Sequence, residues 1–354
     1  MPTLHLPDTL PGLVIRWYAA HARALPWRSV TGSTADPYRV WLSEIMLQQT
    51  RIETVIPYYF RFLEACPTVE ALAEIDDDRL IKLWEGLGYY SRARNLKKAA
   101  QVIAREYGGA LPPDVGLLRA LPGIGEYTAG AVASIAFGLP EPAVDGNVLR
   151  VVSRIAALSD DVALPQTKRC VTEALRRIYP GGMDAACFTE GLMELGEVVC
   201  LPPPAEARCE DCPLKDLCEA QRTGETDRYP VKSPKKERRV EEWTVLLLRL
   251  DGKLALRRRG EGLLGGMWEF PNVPGALDED EIPAAVRTLC PEAEIVTVGQ
   301  MPSAKHVFTH VEWRMRAYLV DVCGPVPYET AAPEEIREKY ALPTAFRKWK
   351  LPGE

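Results

Sequence analysis

The chain has 354 residues, 47% of them hydrophobic and 26% charged, the proportions of a globular protein of about two domains. No apolar run approaches the roughly 18–20 residues that span a bilayer, and the N-terminus MPTLHLPDTLPG lacks the basic patch and apolar core of a secretory signal, so a cytoplasmic protein off the membrane is expected. Net charge is −6, with 23 Lys and Arg against 29 Asp and Glu in residues 1–226 and 20 against 20 in residues 227–354; this argues against a histone-like polycation but leaves room for a phosphate site built from a few basic groups and helix N-termini.

Residues 10–220 read as almost wholly helical. Apolar residues recur at helical spacing in 40–46, 80–87, 96–103, 129–135 and 148–155, with Pro- or Gly-marked turns at 65–68, 108–114, 138–142 and 180–184. By pattern alone Glu44, in WLSEIMLQQT, is an exposed helix residue, and Tyr89 and Tyr90, in WEGLGYYSRARN, pack at a helix end. In LPGIGEYTA, Gly123 and Gly125 allow a tight turn and a close backbone approach, and the free N–H groups of the next helix suit a phosphate. An ordinary helix–turn–helix junction is the alternative, with Tyr127 a half-buried helix aromatic. Asp145, in AVDGNVLR, reads as the N-cap of a helix starting near 147 or 148. Glu190, Glu194 and Glu197 share one helix face, and the last two suit a solvated one.

The strongest pattern is Cys200-x8-Cys209-x2-Cys212-x5-Cys218. Four thiolates within one short loop select zinc or an iron–sulfur cluster. A single C-x2-C, no nearby His and uneven loops suit a [4Fe–4S] cubane better than a zinc knuckle, which remains the alternative. With four protein ligands either centre is structural rather than catalytic. Residues 227–241 read as a linker between a domain at 1–226 and another at 242–354. In the latter, runs at 243–250 and 253–259 flank Asp251-Gly252, a two-residue hairpin signal, and further strands are expected at 294–300, 305–312 and 314–321, with helices at 279–289 and 333–340. This is a small α+β domain.

Together the hairpin, the trailing aspartate and the four cysteines resemble the endonuclease III superfamily of DNA glycosylases over roughly residues 10–220, with a first cysteine loop of eight residues where the family usually has six. The resemblance implies a mostly α helix-hairpin-helix fold of two lobes with a [4Fe–4S] loop. Tyr127 stands where bifunctional members carry a lysine nucleophile, so the chain is similar to the monofunctional branch, in which water attacks. WLSEIMLQQT, the WEGLGYYSRARN stretch and LLGGMWEFP at 263–271 resemble MutY-type adenine DNA glycosylases, whose C-terminal domain is Nudix-like.

That resemblance implies Glu44 as general acid and base, Asp145 as stabiliser of a cationic sugar beside Tyr127, Gln49 and Tyr89 as probes of the duplex, and Arg28 and Glu190 in the adenine pocket. Arg92 and Arg94 are phosphate candidates. Phe308-Thr309-His310 matches the family's Phe-Ser-His loop for 8-oxoguanine, Thr keeping the hydroxyl; a plain strand across 307–311 is the alternative. Residues 284–290 lack the carboxylates of a Nudix hydrolase. The expected partner is duplex DNA with adenine opposite 8-oxoguanine or guanine, bound by a monomer. An endonuclease III-like pyrimidine or thymine-mismatch glycosylase, a non-catalytic lesion binder and a nucleotide hydrolase are the alternatives.

Overall fold

The computed structural model describes residues 4–28, 35–234, 237–260 and 262–351. They fall into two compact units, each assembled from two chain segments: Met1–Glu74 with Asn95–Pro234, and Ile75–Arg94 with Lys235–Glu354. No helix among the described residues is long and apolar enough to cross a membrane.

The first unit is helical. In chain order it contains α1 (Leu10–His21), α2 (Pro37–Leu47), α3 (Ile52–Ala65) and α4 (Val69–Glu74). α5 (Asp77–Leu83) and the start of α6 (Ser91–Tyr107) belong to the second unit. The first unit resumes within α6 and continues through α7 (Val115–Ala120), α8 (Glu126–Phe137), α9 (Gly146–Ile155), α10 (Pro165–Ile178), α11 (Met183–Val198) and the short α12 (Glu219–Arg222). The helix starts follow local chemistry. Asp36 accepts from the N–H groups of Tyr38 and Arg39 to open α2, Asp114 caps α7, and Asp145 caps α9. Leu10, Val14, Val148, Val152, Phe188, Leu192 and Leu195 form the core that α1, α9 and α11 share.

Small residues decide how closely these helices meet. α8 is buried on all sides through Thr128–Ala136, a stretch of mostly Ala, Gly and Ser that permits close neighbours. A Cβ on Gly130 would lie 2.3 Å from the Pro142 carbonyl oxygen. A Cβ on Gly191 of α11 would lie 2.7 Å from Val14 of α1, and one on Gly196 would lie 2.6 Å from the Asn147 Cβ in α9. These approaches set α11 close against α1 and α9, and α8 close against the segment that leads into α9.

In the second unit the helical periodicity expected across 80–87 ends early: α5 stops at Leu83, and Gly86 and Gly88 take left-handed angles of 104° and 74°. Trp84 Nε1 donates to the Gly88 carbonyl at 3.1 Å and Gly86 N–H to Tyr90 Oη at 3.1 Å, bracing that turn. The sheet comprises β1 (Arg239–Leu250), β2 (Lys253–Arg258), β3 (Trp268–Glu269), β4 (Asn272–Pro274), β5 (Glu294–Val307), β6 (Val311–Cys323) and β7 (Glu329–Ala331). Its order is β3-β2-β1-β6-β5, with β4 on β1 and β7 on β2. β1 runs parallel to β6 and the other pairs are antiparallel. Asp251 and Gly252 both have positive φ, as a primed two-residue hairpin between β1 and β2 requires.

One face of the sheet buries Val245, Leu247, Phe270, Trp313 and Phe346; the other buries Leu246, Leu248, Tyr318 and Val320 against Ile282 and Val286 of α13 (Ile282–Leu289). α14 (Pro333–Lys339) completes the unit. The strand expected across 305–312 is two strands and a turn. Val307 pairs with Glu312, and Phe308 N–H donates to the Val311 carbonyl at 2.8 Å, so Phe308, Thr309 and His310 sit at a hairpin tip. β5 shifts register between Met301 and Ala304.

Candidate active site

A cavity of about 700 Å³ opens in the helical unit where α2, α8, α9 and α11 converge, and Glu44, Tyr127, Asp145 and Glu190 all line it. Glu44 is 7% exposed, against the exposed position its local pattern gives. Tyr127, in the first turn of α8, donates its hydroxyl to Glu44 Oε2 at 2.6 Å. Burial pushes the Glu44 carboxyl up to about 7, the Tyr127 hydrogen bond pulls against that, and the charges of Asp145 and Glu190 add to the rise. Burial and the neighbouring Glu44 also hold the Tyr127 phenol well above its ordinary value, so it stays protonated as a donor. A carboxyl that titrates near neutrality inside a cavity can give a proton and take one back.

Asp145 fills two places at once. Its Oδ1 accepts from Val148 N–H at 2.7 Å as the α9 cap, and its carboxylate lines the same cavity as Glu44. Burial raises it, and the N–H groups of Val148 and Asn147 restrain the rise. α9 begins at Gly146, one or two residues before the expected start.

The far wall is an ion network. Arg28 Nη2 donates to Glu194 Oε2 at 2.8 Å, and its Nε lies 3.6 Å from Glu190 Oε1. Arg23 grips Glu194 as well, Nε to Oε1 at 2.5 Å and Nη2 to Oε2 at 3.0 Å. Tyr18 donates to Glu190 Oε2 at 2.9 Å, with the Arg28 guanidinium over its ring. Glu194 is therefore buried and paired, not on a solvated face, whereas Glu197 is exposed. Tyr18, Arg23 and Glu194 escape sequence reasoning. Tyr18 and Arg23 belong to no motif, and the one available signal for Glu194 was its spacing of one helical turn from Glu190.

Gln49, exposed at φ 57°, Gly123 and Gly125 line the same cavity. Gly123 has φ 77°, and a Cβ there would meet Asn95 Cβ at 2.6 Å, so both backbone and packing require glycine. Gly125 is extended with open space beside it, at the N-cap of α8. Among the described lining residues the primary amine is Lys168, in the first turn of α10.

Tyr89 and the Phe308–Thr309–His310 tip meet in the second unit, lining a cavity of about 440 Å³. Tyr89 has φ 48°, is 45% exposed, and shares a hydrogen bond of 2.9 Å with Thr309 Oγ1. Phe308 packs edge-on against His306 and Trp313. Arg92 is not presented to a ligand: it is buried and donates to the carbonyls of Leu87 and Gly88. Arg94 Nη1 donates to the Gly265 carbonyl at 2.7 Å.

Cys200, Cys209, Cys212 and Cys218 line one small cavity with Arg154. Arg154 is 1% exposed; its Nη1 donates to Cys200 Sγ at 3.2 Å, and its Nη2 has no hydrogen-bond partner. Four thiols facing a buried guanidinium with an unmet donor fit an anionic metal–sulfur group. Among the described residues no three His, Cys, Asp or Glu side chains are arranged to grip one ion.

Comparison with known proteins matches this arrangement. Residues 42–180 match the HhH-GPD superfamily of base excision DNA repair proteins, and residues 244–350 match the NUDIX domain. The adenine DNA glycosylase of Homo sapiens is 31% identical over 404 aligned residues, covering 95% of this chain and 72% of that protein. That of Rattus norvegicus is 31% identical over 398, covering 95% and 76%. The structure of a thermostable thymine-DNA glycosylase superposes with a TM-score of 0.53 at 27% identity, covering 61% of this chain and 96% of that one. The helix-hairpin-helix fold, the Nudix-like sheet domain and the family expected from the motifs are those found, and the chain belongs to the adenine DNA glycosylases, enzymes of base excision repair.

Proposed function

We propose that this glycosylase removes adenine mispaired with 8-oxoguanine or guanine by a monofunctional, water-dependent route, bound to duplex DNA as a monomer. The observation that carries the reading is Glu44, a buried carboxyl raised to about 7, hydrogen-bonded to Tyr127 and sharing its cavity with Asp145. Protonated Glu44 gives its proton to N7 of the extruded adenine, which makes the base a better leaving group. The C1′–N9 bond breaks, its electron pair leaves with the base, and positive charge grows on the sugar. Asp145 stabilises that charge. Glu44, now a carboxylate, takes the proton of the water that adds to C1′. Tyr127 positions Glu44 through Oε2 and offers no amine. Arg28 and Glu190 bind the adenine edge, Gln49 and Tyr89 probe the stack, Gly123 and Gly125 approach a phosphate, and Phe308, Thr309 and His310 read the base opposite.

We also assign Cys200, Cys209, Cys212 and Cys218 as ligands of a [4Fe–4S] cluster, which when bound ties the loop at 200–218 together. The uneven loop lengths, with a single C-x2-C and no nearby His, support a cluster over zinc. About four iron and four acid-labile sulfide per chain are expected; zinc in their place overturns the assignment.

The test of the reaction is base release from duplexes with adenine opposite 8-oxoguanine, guanine or thymine, read with and without alkali. Adenine release fastest opposite 8-oxoguanine, with strand breaks after alkali, is expected. Efficient breakage without alkali, or a borohydride-trapped adduct on Lys168, overturns the monofunctional route.

A further inference from the structure

α11 carries two carboxylates one turn apart that are held in opposite ways. Burial would raise Glu194, but hydrogen bonds and charge from Arg23 and Arg28 outweigh it, and its carboxyl stays below the ordinary value. For Glu190 burial wins over Arg28 and Tyr18, and its carboxyl is raised. The geometry agrees: Arg28 sits at 2.8 Å from Glu194 and 3.6 Å from Glu190. Arg28 thus belongs mainly to Glu194, which also takes up Arg23 with two bonds. All four residues line the cavity that holds Glu44 and Asp145.

Excision builds positive charge on both the base and the sugar. Two guanidiniums on the cavity wall oppose that change unless fixed anions offset them. We propose that Glu194 is a positioning residue for adenine excision, which locks Arg28 in place through the 2.8 Å ion pair and offsets one of the two positive charges that Arg23 and Arg28 bring to the cavity wall. This rests on Glu44 and Asp145 carrying the chemistry, and it adds a residue that acts through Arg28.

The experiment is single-turnover adenine release against pH with the full-length protein, comparing wild type with Glu194→Gln. The groups around Glu44 are Tyr127 from α8, Asp145 at α9, Glu190 from α11 and Arg28. Freed from Glu194, Arg28 acts more strongly on Glu44 and favours its ionised form. Activity needs Glu44 protonated, so the fall in rate on the alkaline side moves down by about one on the pH scale. With Glu44 starting from about 7, that move lowers the rate at neutral pH about fivefold, approaching tenfold at higher pH. An alkaline fall at the wild-type pH, with only the active fraction reduced, overturns the proposal, because a purely structural role lowers the amount of folded enzyme and not its titration. Should Glu194→Gln fail to fold, Arg23→Gln decides. It removes one cation and keeps the Glu194–Arg28 pair, so the alkaline fall moves up; a fall that stays or moves down overturns the proposal. Glu44→Gln, run in parallel, tests the acid assignment separately: near-normal turnover there sinks the reading of the chemistry and not the charge balance on α11.

Discussion

At the residue scale, the price of a poised acid falls on the folded state. Glu44 moves from 4.5 to about 7 on burial. The folded protein therefore binds more protons than the unfolded chain between those values, and stability falls as pH rises through that window. Above it the penalty is complete, about 3 kcal/mol. Glu44→Gln keeps an acceptor for Tyr127 and removes the ionisation, so urea unfolding at pH 8 should show the variant more stable than wild type by up to about that amount, with the gain gone near pH 4.5. Equal stability at both pH values would mean that Glu44 is not desolvated. Local pattern misplaced this side chain on a surface because Glu44 lies within a run of buried α2 residues, Val40–Met46, whose covering helices come from distant segments. The Tyr127 contact links residues 83 apart, which no spacing rule reaches. Asp145 was legible, because capping is written in the adjacent sequence.

At the element scale, helix positions were readable from periodicity and capping, while helix separations were set by side chains that glycines lack. Gly130 is the sharpest case, since the atoms a Cβ would strike are backbone atoms of Pro142 that cannot rotate away. That segment leads three residues on to Asp145. Gly130→Ala should destabilise the protein by about 1–3 kcal/mol through overpacking, and should reduce adenine release by more than its loss of folded fraction explains. Melting and single-turnover rates on the same sample check this; a rate that merely tracks folding refutes the coupling. The β5–β6 hairpin shows the opposite limit of sequence reading. Alternation predicted a continuous strand across 305–312, yet Phe308–His310 forms the tip, because the Phe308-to-Val311 bond closes the turn without Gly, Asn or Pro to announce it.

At the scale of the whole molecule, neither compact unit is a continuous piece of chain. Residues 75–94 are held by groups from beyond 235: Lys82 Nζ donates to the Tyr340 carbonyl at 3.1 Å, Arg258 pairs with Asp78 at 2.7 Å, and Tyr89 meets Thr309. A chain ended at Pro234 loses these partners, so amide hydrogen exchange across 75–94 should rise sharply compared with the full-length protein. Unchanged protection there would show that the helical segments alone order it. This interleaving was invisible in composition, which changes near residue 242 and marks where texture alters rather than where contacts are made.

The broken register of β5 has a consequence for the protein in a crowded cell. β5 ends the sheet, and a long outer strand is a template onto which another chain can zip. Here Pro302 supplies no N–H, and the irregular pairing between Met301 and Ala304 kinks the strand midway. The border is thus divided into short stretches, each a poor template for fibrous growth.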